Sequence, residues 1–359
     1  MKAAIARNGT IHVEDIPPPE PGSGQVLVRT RHCGICGSDL HALTHGAAMM
    51  EEPLSPLMAP TDFSSGVVMG HEFCAEIVDF GPDTERALKP GALVCSMPMA
   101  LHNGQVHTVG YSNELPGGYA EFMVLNEMLL LPVPSGLDAR TAALTEPMAV
   151  GTHAVERANL GGGEVLLVIG CGPVGLAVIS ALKVRECGPV VAADFSPLRR
   201  QMAERCGADV VVDPAEASPY QTWVELSQPA GYDPAALENL FAGENSPLRP
   251  TVAFECVGVP GVLATMMQAC PRDSRIVVVG VCMEEDRIRP LQAIARELNL
   301  QFVLGYSPEE FAATLAQIES GALDIGHWIT GEVGIDGIAG AFAELASPNA
   351  HAKILVTPS

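Results

Sequence analysis

The sequence predicts an α/β protein in two parts, a β-barrel domain and a domain with a doubly wound parallel sheet. Three observations carry this. Short β-patterns broken by Gly and Pro run to about residue 135. From Ala149 onward, strand and helix patterns alternate, as βαβ units do. And 359 residues exceed one ordinary domain.

The elements follow in order. Residues 3–6, 11–13 and 26–28 read as strands, with Pro17-Pro18-Pro19 as an extended link. A helix opens within 33–45 after a Gly-rich turn, and 42–69 reads as a long loop rich in Met and Pro. Gly81-Pro82 and Gly117-Gly118 interrupt the strands that follow. In the second part, Val165–Ile169 and Val190–Ala193 read as strands and Pro173–Val184 as a helix. A helix over 198–206 has Ser196 as its N-cap and Pro197 at its first position. Val210–Val212, Thr251–Glu255, 275–281 and 300–304 read as further strands. Two helical patterns, one through Phe311, Leu315 and Ile318 and one over 339–345, precede a closing strand at 353–356. The expected domains are 1–149 with 306–359, and 150–305.

Charge and composition exclude several classes. Twenty basic against 42 acidic residues give a net charge of −22, a surface that repels nucleic acid and anionic lipid. At 48% hydrophobic and 17% charged, the chain can bury a large core. No apolar run is long enough to span a membrane. The N-terminus lacks a secretion-signal pattern. The 10 cysteines therefore read as reduced thiols or metal ligands, and the cytoplasm is the expected compartment.

Gly170-Cys171-Gly172-Pro173-Val174-Gly175 fits G-x-G-x-x-G, and it joins an apolar strand to a helix, the context that gives the pattern meaning. The helix N-terminus offers free N–H groups to a pyrophosphate. Asp194 closes the next strand, where an acid binds ribose hydroxyls and repels a 2′-phosphate, favouring NAD. Arg199 and Arg200 pull the other way, since a nearby arginine can host that phosphate.

Cys33 and Cys36 have zinc-knuckle spacing but no second Cys pair, so a knuckle lacks ligands. Cys36, His71 and a carboxylate would instead supply the three protein ligands of a catalytic zinc. Ser38 and His41, three positions apart, share a helix face.

Together these motifs resemble the zinc-dependent medium-chain dehydrogenase/reductase family, on its sorbitol, threonine and butanediol dehydrogenase side. The matching stretches are Cys36-Gly-Ser-Asp-Leu-His41, Gly70-His71-Glu72, Pro116 to Phe122, Thr145-Glu146-Pro147, the Gly170–Gly175 loop and Phe254-Glu255-Cys256-Val257-Gly258. The resemblance implies a GroES-like catalytic barrel and a Rossmann NAD-binding domain. It implies Cys36 and His71 as zinc ligands, with Glu72 or Glu146 as the third. Ser38 would take the alcohol proton, His41 would pass it on, and Asp39 would orient His71. The cofactor site would comprise Gly170, Gly172, Pro173, Val174, Gly175, Asp194, Phe195, Arg199, Cys256, Val279 and Val281.

Two departures from the family stand out. Residues 92–116 hold only Cys95, so one catalytic zinc and no structural zinc are expected, with His102 and His107 in a solvated loop. The interval from Cys36 to His71 is also long, and the excess falls in the Met-rich loop. Met49, Met50, Leu54, Leu57, Met58, Phe63, Val67, Val68 and Met69, with Met97 and Met99, either pack the barrel or wall an apolar cleft. The second alternative predicts a secondary alcohol/ketone pair with a bulky apolar substituent. Polyol or threonine dehydrogenase, zinc-independent NADPH reductase and silent nucleotide-binding protein are the competing readings. The apolar strand at 300–304 is an edge that a homodimer or homotetramer would cover.

Overall fold

The hub of the N-terminal part is strand β3 (Gln25–Gly34). In the computed structural model, which describes residues 1–49, 57–233, 235–236, 247–347 and 349–358, the chain divides into two units. One is Met1–Ala149 with Tyr306–Ser359, and the other is Val150–Gly305. Met50 and Leu54 lie outside the described residues.

In the first unit, β1 (Lys2–Arg7) pairs with β2 (Thr10–Asp15) and β4 (Val67–Val68). Strand β3 pairs with β5 (Glu72–Phe80) and β9 (Phe122–Asn126), and also with β18 (Lys353–Thr357) from the far end of the chain. The register sets Gly34 opposite Glu72 on one side and Leu355 on the other. That closure draws the last strand to the start of helix α1 (Gly37–Met49). Ala4, Val28, Met69, Tyr119, Met123 and Phe342 are among the side chains of its core.

Helix α1 runs on to Met49, kinked at His45, so the loop expected from residue 42 begins later. Phe63, Val67, Val68 and Met69 are buried in the barrel core, and Leu57 and Met99 are exposed. The packing alternative therefore holds for those four side chains. His107 is a further correction. It is 2% exposed on β8 (Gln105–Thr108), which forms a hairpin with β7 (Met99–His102), and its Nδ1 meets Ser112 Oγ at 2.9 Å. A hydroxyl partner lets a polar ring be buried there. His102 is half-buried, with Nε2 3.5 Å from Glu114.

The second unit is a parallel sheet in the order β13–β12–β11–β14–β15–β16. These strands are β11 (Val165–Ile169), β12 (Val190–Ala193), β13 (Val210–Val212), β14 (Thr251–Glu255), β15 (Arg275–Val278) and β16 (Asn299–Phe302). The order runs outward both ways from β11, which makes the gap between β11 and β14 the topological switch point of a Rossmann sheet. Strand β15 ends three residues earlier than expected, because Val279 and Gly280 turn their N–H groups onto the Glu255 carbonyl. The last strand is also shifted, to Asn299–Phe302. Helix Pro197–Arg205 has the expected cap, Ser196 accepting from the Arg199 N–H.

Candidate active site

Among the described residues, one group of metal-competent side chains stands out: the ligand atoms of Cys36, His71 and Glu72 lie within 4.8 Å of one another. The fold explains the meeting. Cys36 stands just before α1, at its N-terminal end. His71 and Glu72 lie at the start of β5, beside β3. Glycine at 34 is required, since a Cβ there would stand 2.1 Å from Glu72 Oε2.

Behind the cluster lies an ion pair that the sequence did not announce. Lys353 and Glu72 are both fully buried, and Lys353 Nζ donates to Glu72 Oε1 and Oε2 at 2.8 and 2.7 Å and to the Ile35 carbonyl at 3.0 Å. Burial alone would lower the lysine's pKa, but Glu72 and Cys36 raise it above the usual value. Breaking such a pair from one side strands a buried charge.

Asp39 sits on the other side of His71. Its carboxylate accepts from the Cys36 N–H at 3.1 Å and from the Tyr119 hydroxyl at 2.6 Å. His71 Nδ1 faces Asp39 Oδ1 at 3.4 Å, an ion-pair distance that falls short of a hydrogen bond. Burial pushes the Asp39 pKa up, but the His71 charge and these bonds bring it below the usual range. Burial pushes His71 down, and Asp39 with Cys36 carries it well above the ordinary histidine value. The pocket around His71 thus favours positive charge. Ser38 Oγ and Asp39 Oδ1 both meet the Tyr111 hydroxyl, at 2.9 and 3.0 Å, and His41 stands one turn beyond Ser38 on α1.

Glu146, near the start of helix Thr145–Arg157, is not part of the three-residue group. It accepts from the Tyr306 hydroxyl at 2.9 Å, and Tyr306 stacks on Phe311. Burial pushes its pKa up to about 7, with Glu72 adding to the rise and His71 opposing it. Sequence patterns named Glu146, His71 and Glu72 but missed Lys353, Tyr306, Tyr111 and Tyr119. Tyr119 lay within the Pro116–Phe122 motif. The other three carry no local signal.

In the second unit, the loop after β11 has the geometry a dinucleotide needs. Gly170 has φ +91°, and a Cβ on Gly175 would stand 1.9 Å from the Gly170 carbonyl oxygen. At Gly172 a Cβ would meet only Arg199, at 3.8 Å or more, so space is open there. Pro173 begins helix Pro173–Val184, and Val174 is half-buried in its first turn. Asp194 accepts from the Cys171 and Ser196 N–H groups, each at 2.8 Å. A carboxylate so held keeps lone pairs for further donors. Arg199 Nη1 lies 3.8 Å from Asp194 and its Nε is buried without a partner, while Arg200 pairs with Asp213 at 2.8 Å. Phe195 and Val281 are exposed, Cys256 is half-buried, and Val279 is buried. Cys95 is buried and donates to the Ala142 carbonyl.

Comparison with known proteins is consistent across the chain. Residues 22–135 match the alcohol dehydrogenase GroES-like domain, and residues 173–320 match the zinc-binding dehydrogenase domain. The chain is 31% identical to (R,R)-butanediol dehydrogenase of Bacillus subtilis, covering 100% of both chains. It is 25% identical to sorbitol dehydrogenase of the same organism (100% and 98% covered) and 27% identical to L-threonine 3-dehydrogenase of Sinorhizobium medicae (96% and 94%). The crystal structure of 2R,3R-butanediol dehydrogenase from Bacillus subtilis superposes with a TM-score of 0.78 at 30% identity, over 100% of this chain and 99% of that one.

Proposed function

The chain belongs to the zinc-type medium-chain dehydrogenase/reductase family, and from that footing we propose that it is a zinc- and NAD-dependent dehydrogenase of a small secondary alcohol. The observation that carries the proposal is the Cys36, His71 and Glu72 group, backed by Asp39 and Lys353. Its donor set of thiolate, imidazole and carboxylate suits zinc, and the buried, unpartnered His71 Nδ1 faces an acid that would fix the ring. We take Glu72 as the third ligand, with Glu146 beside it.

Zinc at this group supplies Lewis acidity to the alcohol oxygen, and the nicotinamide supplies a hydride acceptor. The protein does the rest. Ser38 accepts the alcohol proton as its own hydrogen leaves toward His41, which returns it to solvent. Asp39 keeps His71 in orientation. The loop Gly170–Gly175 and the first turn of the following helix hold the pyrophosphate, and Asp194 accepts from ribose hydroxyls and disfavours a 2′-phosphate. One zinc per chain is the stoichiometry we propose, supported by Cys95 being the sole cysteine of residues 92–116 and donating to the Ala142 carbonyl.

The substrate is the finer part of the proposal. The relatives are named for butanediol, sorbitol and threonine, each carrying a secondary hydroxyl. We favour an alcohol with an apolar substituent, on the strength of the apolar stretch after α1. Its core-packed members narrow that support, among the described residues, to the exposed Leu57 and the half-buried Met58. NAD reduction by 1-phenylethanol, cyclohexanol, 2,3-butanediol, sorbitol and L-threonine tests the proposal. The highest kcat/KM should fall on an aryl or cyclic alcohol. Preference for sorbitol or threonine would move the protein to the polyol or threonine reading, and silence on the whole panel would contradict the function. We further propose a cytoplasmic homodimer or homotetramer. Phe302 and Leu304, 63% and 69% exposed at the β16 edge, favour a covered edge.

A further inference from the structure

Tyr111 lies outside the motifs that define the family resemblance, yet one side chain touches three groups of the site. Its hydroxyl oxygen is 2.9 Å from Ser38 Oγ and 3.0 Å from Asp39 Oδ1. Its ring packs on the His71 imidazole, with centroids 5.3 Å apart and planes tilted by 35°. The ring contact is apolar packing. The hydroxyl does something separate.

A phenol carries one hydrogen and accepts through its oxygen. Two oxygens compete for that hydrogen here, and the buried carboxylate of Asp39 is the stronger acceptor. The phenol oxygen is then left to receive the Ser38 hydroxyl hydrogen. Ser38 is held by its hydrogen, and its lone pairs remain free. Tyr119 anchors the opposite oxygen of Asp39 at 2.6 Å, so the carboxylate cannot swing away from Tyr111 without losing a bond.

Resting on the dehydrogenase reading above, we propose that Tyr111 is a positioning residue for proton transfer. Its hydroxyl, braced on Asp39, aims the Ser38 oxygen so that it accepts the alcohol proton. As the alcohol proton arrives, Ser38 gives up its original hydrogen, which leaves the phenol oxygen for the His41 relay, and the hydroxyl it keeps takes up the same bond to Tyr111. Tyr111 neither gains nor loses a proton overall, and it acts through Ser38.

Tyr111→Phe keeps the ring on His71 and removes only the hydroxyl. The test uses the zinc-loaded protein with NAD and the panel alcohol of highest kcat/KM. The account expects kcat to fall roughly 10- to 100-fold with KM within about twofold, the scale of a misplaced catalytic group. In a Ser38→Ala background the same change should cost less than about twofold, because coupled residues are not additive. Zinc content and melting temperature should match wild type, and the visible spectrum of the cobalt-substituted protein should be unchanged. Unchanged kcat in Tyr111→Phe would overturn the proposal. So would an equal loss in the Ser38→Ala background, or an altered cobalt spectrum, since either places the effect in general structure or at the metal. A wild-type protein inactive on every alcohol would instead sink the functional reading, and the proposal with it.

Discussion

The proposed metal group and the proposed dinucleotide loop are built in opposite ways. In the first unit, chemistry comes from side chains that the chain collects from afar: Lys353 and Glu72 are 281 positions apart, and Tyr306 and Glu146 are 160. In the second, it comes from the backbone of consecutive residues, Gly170 to Gly175, whose value lies in having no side chain. One site is therefore broken by removing an atom and the other by adding one. The two should also fail independently, since each has its own core.

The largest expected effect is on the metal side. Cys36→Ser should lower kcat by about 10³-fold or more, the scale of a lost Lewis acid, while the Kd for NAD stays near wild type by calorimetry. Loss of NAD binding in that variant would break the independence of the two sites. Lys353→Met comes next. Removing the ammonium leaves the Glu72 carboxylate buried and unpaired, which should cost about 3–5 kcal/mol of stability in the zinc-free protein by denaturant unfolding. Saturating zinc should recover part of that loss. An unchanged midpoint would show that the pair does not stabilise the barrel.

Gly172→Ala is the mirror experiment. The added methyl meets only Arg199, so the melting temperature should hold. The Kd for NAD should nonetheless rise about tenfold, because the second glycine of the loop admits the pyrophosphate to the backbone. Equal NAD affinity would contradict the cradle.

The smallest effect is on pH dependence. Burial holds Glu146 near 7 in the folded chain, above the ordinary 4.5. The folded state then binds more protons than the unfolded one between these values. Stability from this group is present at low pH and is lost as pH rises through about 4.5 to 7. His71, also raised, acts in the same direction. The difference between wild type and Glu146→Gln isolates the glutamate: the zinc-free variant should lose less melting temperature from pH 5 to 7.5. Parallel curves would contradict the burial argument.

Legibility in the sequence followed the same division. The loop was readable because strand, glycines and helix are contiguous, and Asp194 falls at the next strand end. Cys36, His71, Glu72 and Glu146 were readable as motifs, but which carboxylate joins the group was not. That choice depends on Gly34 making room for Glu72 and on Tyr306 holding Glu146. Lys353 looked like any residue of a closing strand, because its partner is set by the β3–β18 pairing. His107 was misjudged for a similar reason: the hydroxyl of Ser112 that permits its burial comes into place only with the hairpin. Ends of strands were off where a turn competes, as at Val279 and Gly280.

Metal removal tests the central claim most directly. The protein is stripped with chelator, dialysed, and titrated with zinc while NAD reduction by the best panel alcohol is followed. The account predicts no activity without metal and a linear return that saturates at one zinc per chain. Activity that survives stripping, or that needs two zincs per chain, would contradict it.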